Sequence, residues 1–223
     1  VAVTRNKTSK ARSCVNIYGL DEDPEAIDAE PLRTLVNPGN GNFIKVAWGP
    51  LNAYIVTIDE DGFVRKWDFD DESVISQRQL SNRGLSDMCL SKDRQMALIT
   101  SRDMTAKLIR LEDTEDDEQL QIVKTYKSDR PLNSGAISPT MNHVILAGGQ
   151  DAQDVTLSGS SEGHFEVDFW HIYYEERLAS VKGHFGPVNT VAISPDGKMF
   201  ASAGEDGFIR LHHFDDTYLN STY

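Results

Sequence analysis

Repeated segments are the feature that most constrains how this chain can fold. Residues 131–139 (PLNSGAISP) and 187–195 (PVNTVAISP) are identical at six of nine positions, and they begin 56 residues apart. A second series begins with aspartate at 61–68 (DGFVRKWD), 103–110 (DMTAKLIR) and 206–213 (DGFIRLHH). Its first two members lie 42 residues apart, and its last two lie 103 residues apart, which fits two units and an insertion. Internal repeats of roughly 40–45 residues are typical of folds built from units of four short strands.

Strand and turn signals agree with that period. In the last repeat, residues 189–193, 199–203 and 208–212 alternate or run apolar, as β-strands do. The sequences Pro-Asp-Gly at 195–197 and Glu-Asp-Gly at 205–207 separate these segments. Both favour tight turns, because Gly accepts a positive φ and Asp can bond to the backbone of its own turn. Helical periodicity is weak throughout, so the sequence predicts an all-β fold.

Taken together, these features predict a WD-repeat β-propeller, which is a ring of four-stranded blades. The chain reads as one domain of about four and a half blades. The predicted segments are the end of one blade (1–18), four further blades (19–68, 69–110, 111–172 and 173–214) and a tail (215–223). An open ring leaves strand edges unpaired, and the chain begins at Val1 with neither a starting methionine nor a signal peptide. We therefore expect further blades upstream.

The charge balance narrows the class of partner. The chain has 35 acidic and 22 basic residues, with a formal net charge of −13, whereas nucleic-acid backbones are bound by Lys and Arg. Protein partners are therefore favoured over direct nucleic-acid binding. No run approaches the ~20 apolar residues that cross a bilayer, so no membrane contact is expected. The two distant cysteines, Cys14 and Cys89, indicate buried free thiols and a reducing, cytoplasmic location.

A histidine, a serine and an aspartate form a polar set in the last repeat. His184 precedes Asp206 by 22 residues, and Ser202 lies on the predicted middle strand. In this pattern the turn aspartate accepts a hydrogen bond from the histidine ring, whose other nitrogen can bond to the serine. We therefore predict that the set stabilises a blade. The same structural pattern includes three residues of the earlier repeats: Asp61, Trp67 and Asp103.

A hydrolytic triad would need the same three residue types. Such a triad also requires an exposed hydroxyl and an oxyanion site, whereas this set belongs to a repeating structural unit. The adjacent His212 and His213 lack metal-ligand spacing, and the glycine-rich residues 148–151 lack the Lys and Ser/Thr of a phosphate-binding loop. We therefore predict no catalytic residue, metal, cofactor or small-molecule substrate. For the polar insertion at 152–163, a functional loop and a tolerated insertion both remain open.

Several segments together resemble the WD-repeat subunit i of eukaryotic translation initiation factor three. They are residues 131–139, 148–155, 163–166, 183–195 and 204–214. Gly-His and Asp-Gly marks are shared by WD proteins in general, whereas the Gly-Gly-Gln insertion and the His-His-Phe ending are particular to this family. The resemblance is strong over residues 130–214 and depends on the order of motifs upstream. It implies a propeller of seven blades, of which about two and a half would precede this chain.

The resemblance also implies a function. Members of the family are non-catalytic: the propeller binds a C-terminal helical segment of subunit b, lies beside subunit g, and supports the complex on the small ribosomal subunit during scanning. By resemblance, the helix contact falls on blade loops near Asp103 and Asp129, for which plain turn roles are the alternative. Complementary charge between an acidic propeller and a basic helix would speed and orient their binding.

Two other functions remain open on the sequence. A WD-repeat adaptor in signalling or ubiquitin ligation would bind a peptide at the central channel, and it would not co-purify with initiation-factor subunits. A propeller enzyme would lose turnover without losing its fold when His184 is replaced. A structural role for His184 predicts unfolding instead.

Overall fold

A computed structural model describes residues 1–9, 11–19, 30–112, 120–149 and 164–220 of the chain. The strands form five antiparallel sheets, and a short α-helix, Asp216–Leu219, follows the last strand. The prediction of an all-β fold is confirmed. Three of the sheets have four strands in sequential order, which is the structure of a WD-repeat propeller blade.

The strands, numbered in chain order, belong to five sheets. Sheet 1 contains β1 (Ala2–Arg5), β2 (Cys14–Ile17) and β3 (Arg33–Val36). Sheet 2 contains β4 (Phe43–Trp48), β5 (Ile55–Asp59), β6 (Phe63–Trp67) and β7 (Val74–Gln79). Sheet 3 contains β8 (Leu85–Leu90), β9 (Met96–Ser101), β10 (Thr105–Arg110) and β11 (Gln121–Lys127). Sheet 4 contains β12 (Leu132–Ile137), β13 (His143–Gly148), β14 (Val167–His171) and β15 (Arg177–Val181). Sheet 5 contains β16 (Val188–Ile193), β17 (Met199–Gly204) and β18 (Ile209–His213).

The chain divides into two compact units. The first unit comprises Val1–Leu85 and Leu111–Gln121, and it contains sheets 1 and 2. The second unit comprises Ser86–Arg110 and Ile122–Tyr223, and it contains sheets 3 to 5 apart from the first residues of β8 and β11.

In the first unit, the core lies between the apolar faces of sheets 1 and 2. Strand β5 is buried along its whole length, and the rings of Phe43 and Trp67 meet edge to face with centroids 6.1 Å apart. Aromatic and β-branched side chains suit this position because they bury a large apolar area with little loss of rotamer freedom. The buried members of the cluster are Val15, Ile17, Leu35, Phe43, Ile55 and Trp67.

In the second unit, strand β13 divides its side chains between two cores. Val144 and Leu146 pack in a cluster with residues of sheet 3, whereas Ile145 and Ala147 pack in a cluster with residues of sheet 5. Successive side chains of a strand point to opposite faces, so a strand covered on both faces must be apolar throughout. This is why residues 144–148 of β13, which follow His143, form an unbroken apolar run.

The tight turns have the backbone that their sequences predict. Gly62, Gly197 and Gly207 adopt φ values of 88°, 71° and 78°, in the left-handed region that favours glycine. Met104 follows an aspartate as Gly62 and Gly207 do, and it adopts φ 68° although it has a side chain. The β9–β10 turn therefore contains a backbone that L-amino acids with a Cβ adopt at a cost of about 1 kcal/mol.

The observed sheets are offset by one strand from the blades predicted from the sequence repeats. The segments beginning at residues 19, 69, 111 and 173 start with strands β3, β7, β11 and β15, yet each of these strands pairs with the preceding sheet. The repeat period fixes the spacing of equivalent strands, but it is the same for every choice of first strand. Hydrogen bonding between neighbouring strands decides where one sheet ends.

Some sequence features lie outside the described residues. These are the insertion at 152–163, the end of the glycine-rich segment at 150–151 and residues 113–118 (DTEDDE), where five of six residues are acidic. Of the two free cysteines, Cys14 is buried as expected, whereas Cys89 is only partly buried.

Candidate partner-binding site

In the last repeat, the predicted polar set forms one hydrogen-bonded group. Nδ1 of His184 lies 3.1 Å from Oδ1 of Asp206, and Nε2 lies 2.8 Å from Oγ of Ser202. The backbone N–H of Phe185 donates to Oδ2 of Asp206 at 3.1 Å. The side chains of His184 and Asp206 are 3% and 6% exposed. The group therefore connects the loop before β16 to the middle strand and to the β17–β18 turn.

The carboxylate of Asp206 is surrounded by donors. Burial alone would raise the pKa of this group. Hydrogen bonds outweigh that effect and hold the pKa well below its usual range; their donors are the Phe185 N–H, the His184 ring, the Phe208 N–H and the Arg210 guanidinium. Asp206 therefore remains ionised at pH values at which an unperturbed aspartate is already protonated.

The position occupied by tryptophan in sheet 2 is occupied by histidine in sheet 5. In β6, Nε1 of Trp67 donates to Oγ1 of Thr57 on β5 at 2.8 Å. In β18, the ring of His212 instead stacks on Phe200, with centroids 4.5 Å apart and an interplanar angle of 11°. Both rings thus cover the middle strand of their own sheet, one through a hydrogen bond and the other through stacking.

Asp61 holds the loop between β3 and β4. Its Oδ2 accepts the backbone N–H groups of Asn40 at 2.9 Å and Gly41 at 2.7 Å. A different aspartate of the same turn, Asp59, forms the buried ion pair of this sheet with Arg65. The turn aspartate of sheet 2 therefore binds backbone, where that of sheet 5 binds a histidine ring.

Asp103 accepts two hydrogen bonds within its own turn. Its Oδ1 accepts from the backbone N–H of Thr105 at 3.0 Å and from the hydroxyl of Thr105 at 2.5 Å. Its Oδ2 lies 3.8 Å from Nζ of Lys107, and 24% of the side chain is exposed. This carboxylate is therefore more accessible than that of Asp206.

Asp129 is the more exposed of the two acids that the resemblance singles out. Its side chain is 54% exposed, and its Oδ1 lies 2.9 Å from NH1 of Arg130. Its Oδ2 lies 3.8 Å from NH1 of Arg177, a half-exposed side chain on β15. One oxygen of the carboxylate is thus hydrogen-bonded to Arg130, while the other faces Arg177 at a distance too long for a hydrogen bond.

Arg130 anchors that loop to sheet 4 from below the surface. Its side chain is 3% exposed, and its NH2 donates to Oδ2 of Asp168 at 2.6 Å and to the backbone oxygen of Glu166 at 3.0 Å. The hydroxyl of Ser180 donates to the other oxygen of Asp168. Carboxylates and a carbonyl pair with NH1 and NH2 of the buried guanidinium, which offsets the cost of burying its charge, whereas its Nε has no hydrogen-bond partner among the described residues.

The structure brings the turns of Asp103 and Asp129 together. The backbone N–H of Ser128 donates to the carbonyl of Met104 at 2.8 Å, which joins the β9–β10 turn to the loop between β11 and β12. We call residues 101–104 and 128–130 the acidic edge of the second unit. His184, Ser202 and Asp206 are in a separate hydrogen-bonded group on sheet 5.

Sequence reasoning missed the charged residues that support the acidic edge. These residues come from three different segments of the chain, so no regular spacing in the sequence indicates that they meet. They are Arg130, Glu166, Asp168 and Arg177. One signal was available: Asp168 interrupts the apolar strand Val167–His171, and an acid at a buried strand position needs a cationic partner.

No helix among the described residues is long and apolar enough to cross a membrane. Within the same part of the chain, no three His, Cys, Asp or Glu side chains gather in a group that could hold a metal ion.

Comparison with known proteins identifies the family. A family model described as EIF3I matches residues 1–223. A protein of Drosophila simulans named eukaryotic translation initiation factor 3 subunit I is 47% identical over 177 residues, which is 79% of this chain and 52% of that protein. The protein of the same name from Drosophila ananassae is 46% identical over 197 residues, or 87% of this chain and 59% of that protein. This chain thus spans little more than half the length of these relatives, and it belongs to the EIF3I family.

Proposed function

We propose that this chain is a non-catalytic scaffold within eukaryotic translation initiation factor 3. In this role it binds other subunits, among them b and g, and supports assembly of the complex and scanning by the small ribosomal subunit in the cytoplasm. The match of the EIF3I family model to residues 1–223 supports this proposal most strongly. The resemblance seen in the sequence supports the same conclusion.

The acidic edge is the proposed contact for the helical segment of subunit b. The edge itself contains two aspartates and two arginines, so long-range attraction of a basic helix would come from the net charge of −13 of the whole chain. The carboxylates of Asp103 and Asp129 would then orient the helix on contact. Asp103 and Asp129 present carboxylates on two turns joined by a backbone hydrogen bond. Rigid placement lowers the entropy lost on binding, because the two acids need not be ordered by the partner.

Arg177 is the residue with which a partner competes. Its NH1 lies 3.8 Å from Oδ2 of Asp129 and 3.8 Å from Oδ1 of Asp168, and 48% of its side chain is exposed. A Lys or Arg of the incoming helix would take its place beside Asp129. Arg130 stays in position during this exchange because its guanidinium is held by Asp168.

Co-purification tests the proposal. The tagged full chain, produced in cells with the other factor 3 subunits, should retain subunits b and g and the small ribosomal subunit. The double variant Asp103→Asn/Asp129→Asn should lose subunit b, because it removes both negative charges of the acidic edge while the side-chain volume is kept. Asp196→Asn is the matched control, since Asp196 is also an exposed turn aspartate that accepts a backbone N–H.

The proposal would be contradicted if the tagged full chain co-purified with none of these partners. An adaptor in signalling or ubiquitin ligation would give that result and would instead retain a peptide at the central channel. If the complex forms but the double variant still retains subunit b, the factor 3 role stands and the acidic edge is not the contact.

A further inference from the structure

A cationic cavity lies in the first unit, and none of the residues that line it belongs to the proposed partner contact, the acidic edge. Its volume is about 260 Å³, and it opens between the β1–β2 loop and the β3–β4 loop. Lys7, Thr8, Ser9 and Arg12 line one side, and Gly39 and Asn40 line the other. Among the described residues, the lining contains two cations and three hydroxyl groups, those of Thr8, Ser9 and Ser13, and no carboxylate. In a chain with a net charge of −13, this concentration of positive charge is unusual.

Hydrogen bonds hold the two walls of the cavity together. The backbone N–H of Lys7 donates to Oδ1 of Asn42 at 2.8 Å, and Nζ of Lys7 donates to the carbonyl of Asn40 at 2.9 Å. Below them, the buried hydroxyl of Ser13 accepts the N–H of Phe43 at 2.9 Å. The cavity is thus built into the fold by contacts between residues thirty or more positions apart.

Donors remain available to a ligand. An ammonium group has three donors, of which Lys7 uses one on Asn40. A guanidinium has five donors, and Arg12, which is exposed, makes no hydrogen bond or ion pair with any residue that the structure describes. The nearby carboxylate of Asp61 does not line the cavity, and it is engaged by the N–H groups of Asn40 and Gly41.

We propose that this cavity is a binding site for a phosphate monoester, carried either on a phosphorylated peptide or on a free small anion. A guanidinium, an ammonium and hydroxyl groups converging on one cavity match the several oxygens of a single phosphate group. A polynucleotide is disfavoured, because successive phosphates require a stripe of cations and the chain is strongly acidic. This inference is independent of the proposed role in factor 3.

Titration of the full chain with three probes tests the site. The probes are a neutral peptide with one central phosphoserine, the same peptide with serine, and inorganic phosphate. The phosphoserine peptide and inorganic phosphate should compete for one site, and the serine peptide should not bind. Affinity should fall as salt is raised, because the contact is between exposed charges. Tighter binding of the peptide would assign a phosphorylated chain as the ligand, and equal binding would assign a free anion.

Replacement of one arginine provides the control. Arg12→Gln should weaken binding of the phosphoserine peptide by about tenfold, which corresponds to loss of one charge-assisted hydrogen bond. Arg83→Gln makes the same change of charge at another exposed arginine of the first unit, and it should change affinity by less than about twofold. Equal binding by the two variants, no binding of either phosphate probe, or tighter binding of a single-stranded oligonucleotide would each overturn the proposal.

Discussion

The turns of Asp206 and Asp103 occupy the same position in two repeats and have different surroundings. Asp206 is 6% exposed and contacts a histidine ring, backbone N–H groups and a guanidinium. Asp103 is 24% exposed, and its Oδ1 accepts hydrogen bonds from the backbone N–H and the hydroxyl of Thr105 in the same turn. An identical residue at an identical position can thus support a blade in one sheet and remain accessible in another. What decides between the two roles is whether another segment supplies buried partners.

The largest expected effect is from removal of His184. His184→Ala leaves the buried hydroxyl of Ser202 without its ring partner, which costs about 1–3 kcal/mol, whereas Asp206 keeps the donors of Phe185 and Arg210. Removal of the buried ring also leaves a cavity. We expect a loss of about 3 kcal/mol in the free energy of unfolding, measured with urea. Asp103→Ala should cost less than about 1 kcal/mol in the same assay, because the carboxylate that it removes is partly exposed and water can solvate the Thr105 donors that it leaves. Equal losses in the two variants would show that the two turns do not differ as described.

Acid should act on the second unit through another histidine. Burial lowers the pKa of His143 to about 4, and Nδ1 of this ring lies 2.9 Å from the hydroxyl of Tyr218. The unfolded chain, with a histidine pKa near 6.5, binds the proton more readily than the folded chain does. Stability from this group is therefore complete above about pH 6.5 and is lost as pH falls towards 4. Asp206, whose pKa is lowered in the folded chain, loses its contribution only as pH falls below the unfolded-state pKa of aspartate, about 3.9, which lies under this window.

From pH 7 to pH 4.5, this linkage predicts a loss of about 2 kcal/mol. His143→Gln should flatten that difference, since glutamine does not titrate and its amide oxygen can accept the Tyr218 hydroxyl. Urea unfolding of both proteins at both pH values provides the measurement. If the variant loses as much stability as the parent chain, His143 is not the group that titrates.

A reciprocal exchange at the two turns tests their backbone. Met104 and Gly207 have φ values of 68° and 78°, and a Cβ at Gly207 would meet no atom within 4 Å. Conformation alone therefore sets the cost there. Met104→Gly should stabilise the protein by up to about 1 kcal/mol, and Gly207→Ala should destabilise it by about 1 kcal/mol. Two changes of the same sign in thermal unfolding would contradict this account of the turns.

The smallest expected effect concerns affinity at the acidic edge. Arg177→Gln removes the cation that competes for Asp129, so binding of the helical segment of subunit b should strengthen by about threefold, as expected for one exposed charge pair. Lys182→Gln is the control, because Lys182 is also an exposed cation near β15 and contacts Glu166 rather than Asp129. Weaker binding by the Arg177 variant would indicate that this side chain contacts the partner directly.

The sequence predicts features that depend on one repeat better than contacts between segments that are distant in the chain. The spacing of His184, Ser202 and Asp206 and the turn glycines could be read directly, because each depends on one repeat. The assignment of β3, β7, β11 and β15 to the preceding sheets could not, since a period does not define where its unit starts. The support of Asp129 by the buried Arg130 also could not be predicted, because Asp168 and Glu166 reach it from another strand.

One side-by-side measurement tests the central claim that Asp206 stabilises the blade whereas Asp103 and Asp129 bind a partner. Asp206→Asn and the double variant Asp103→Asn/Asp129→Asn are compared for unfolding midpoint and for binding of the helical segment of subunit b. We predict that Asp206→Asn lowers the midpoint markedly, and that the double variant keeps the midpoint of the parent chain but loses binding. A double variant that binds as the parent chain does, or that unfolds as readily as Asp206→Asn, would contradict the claim.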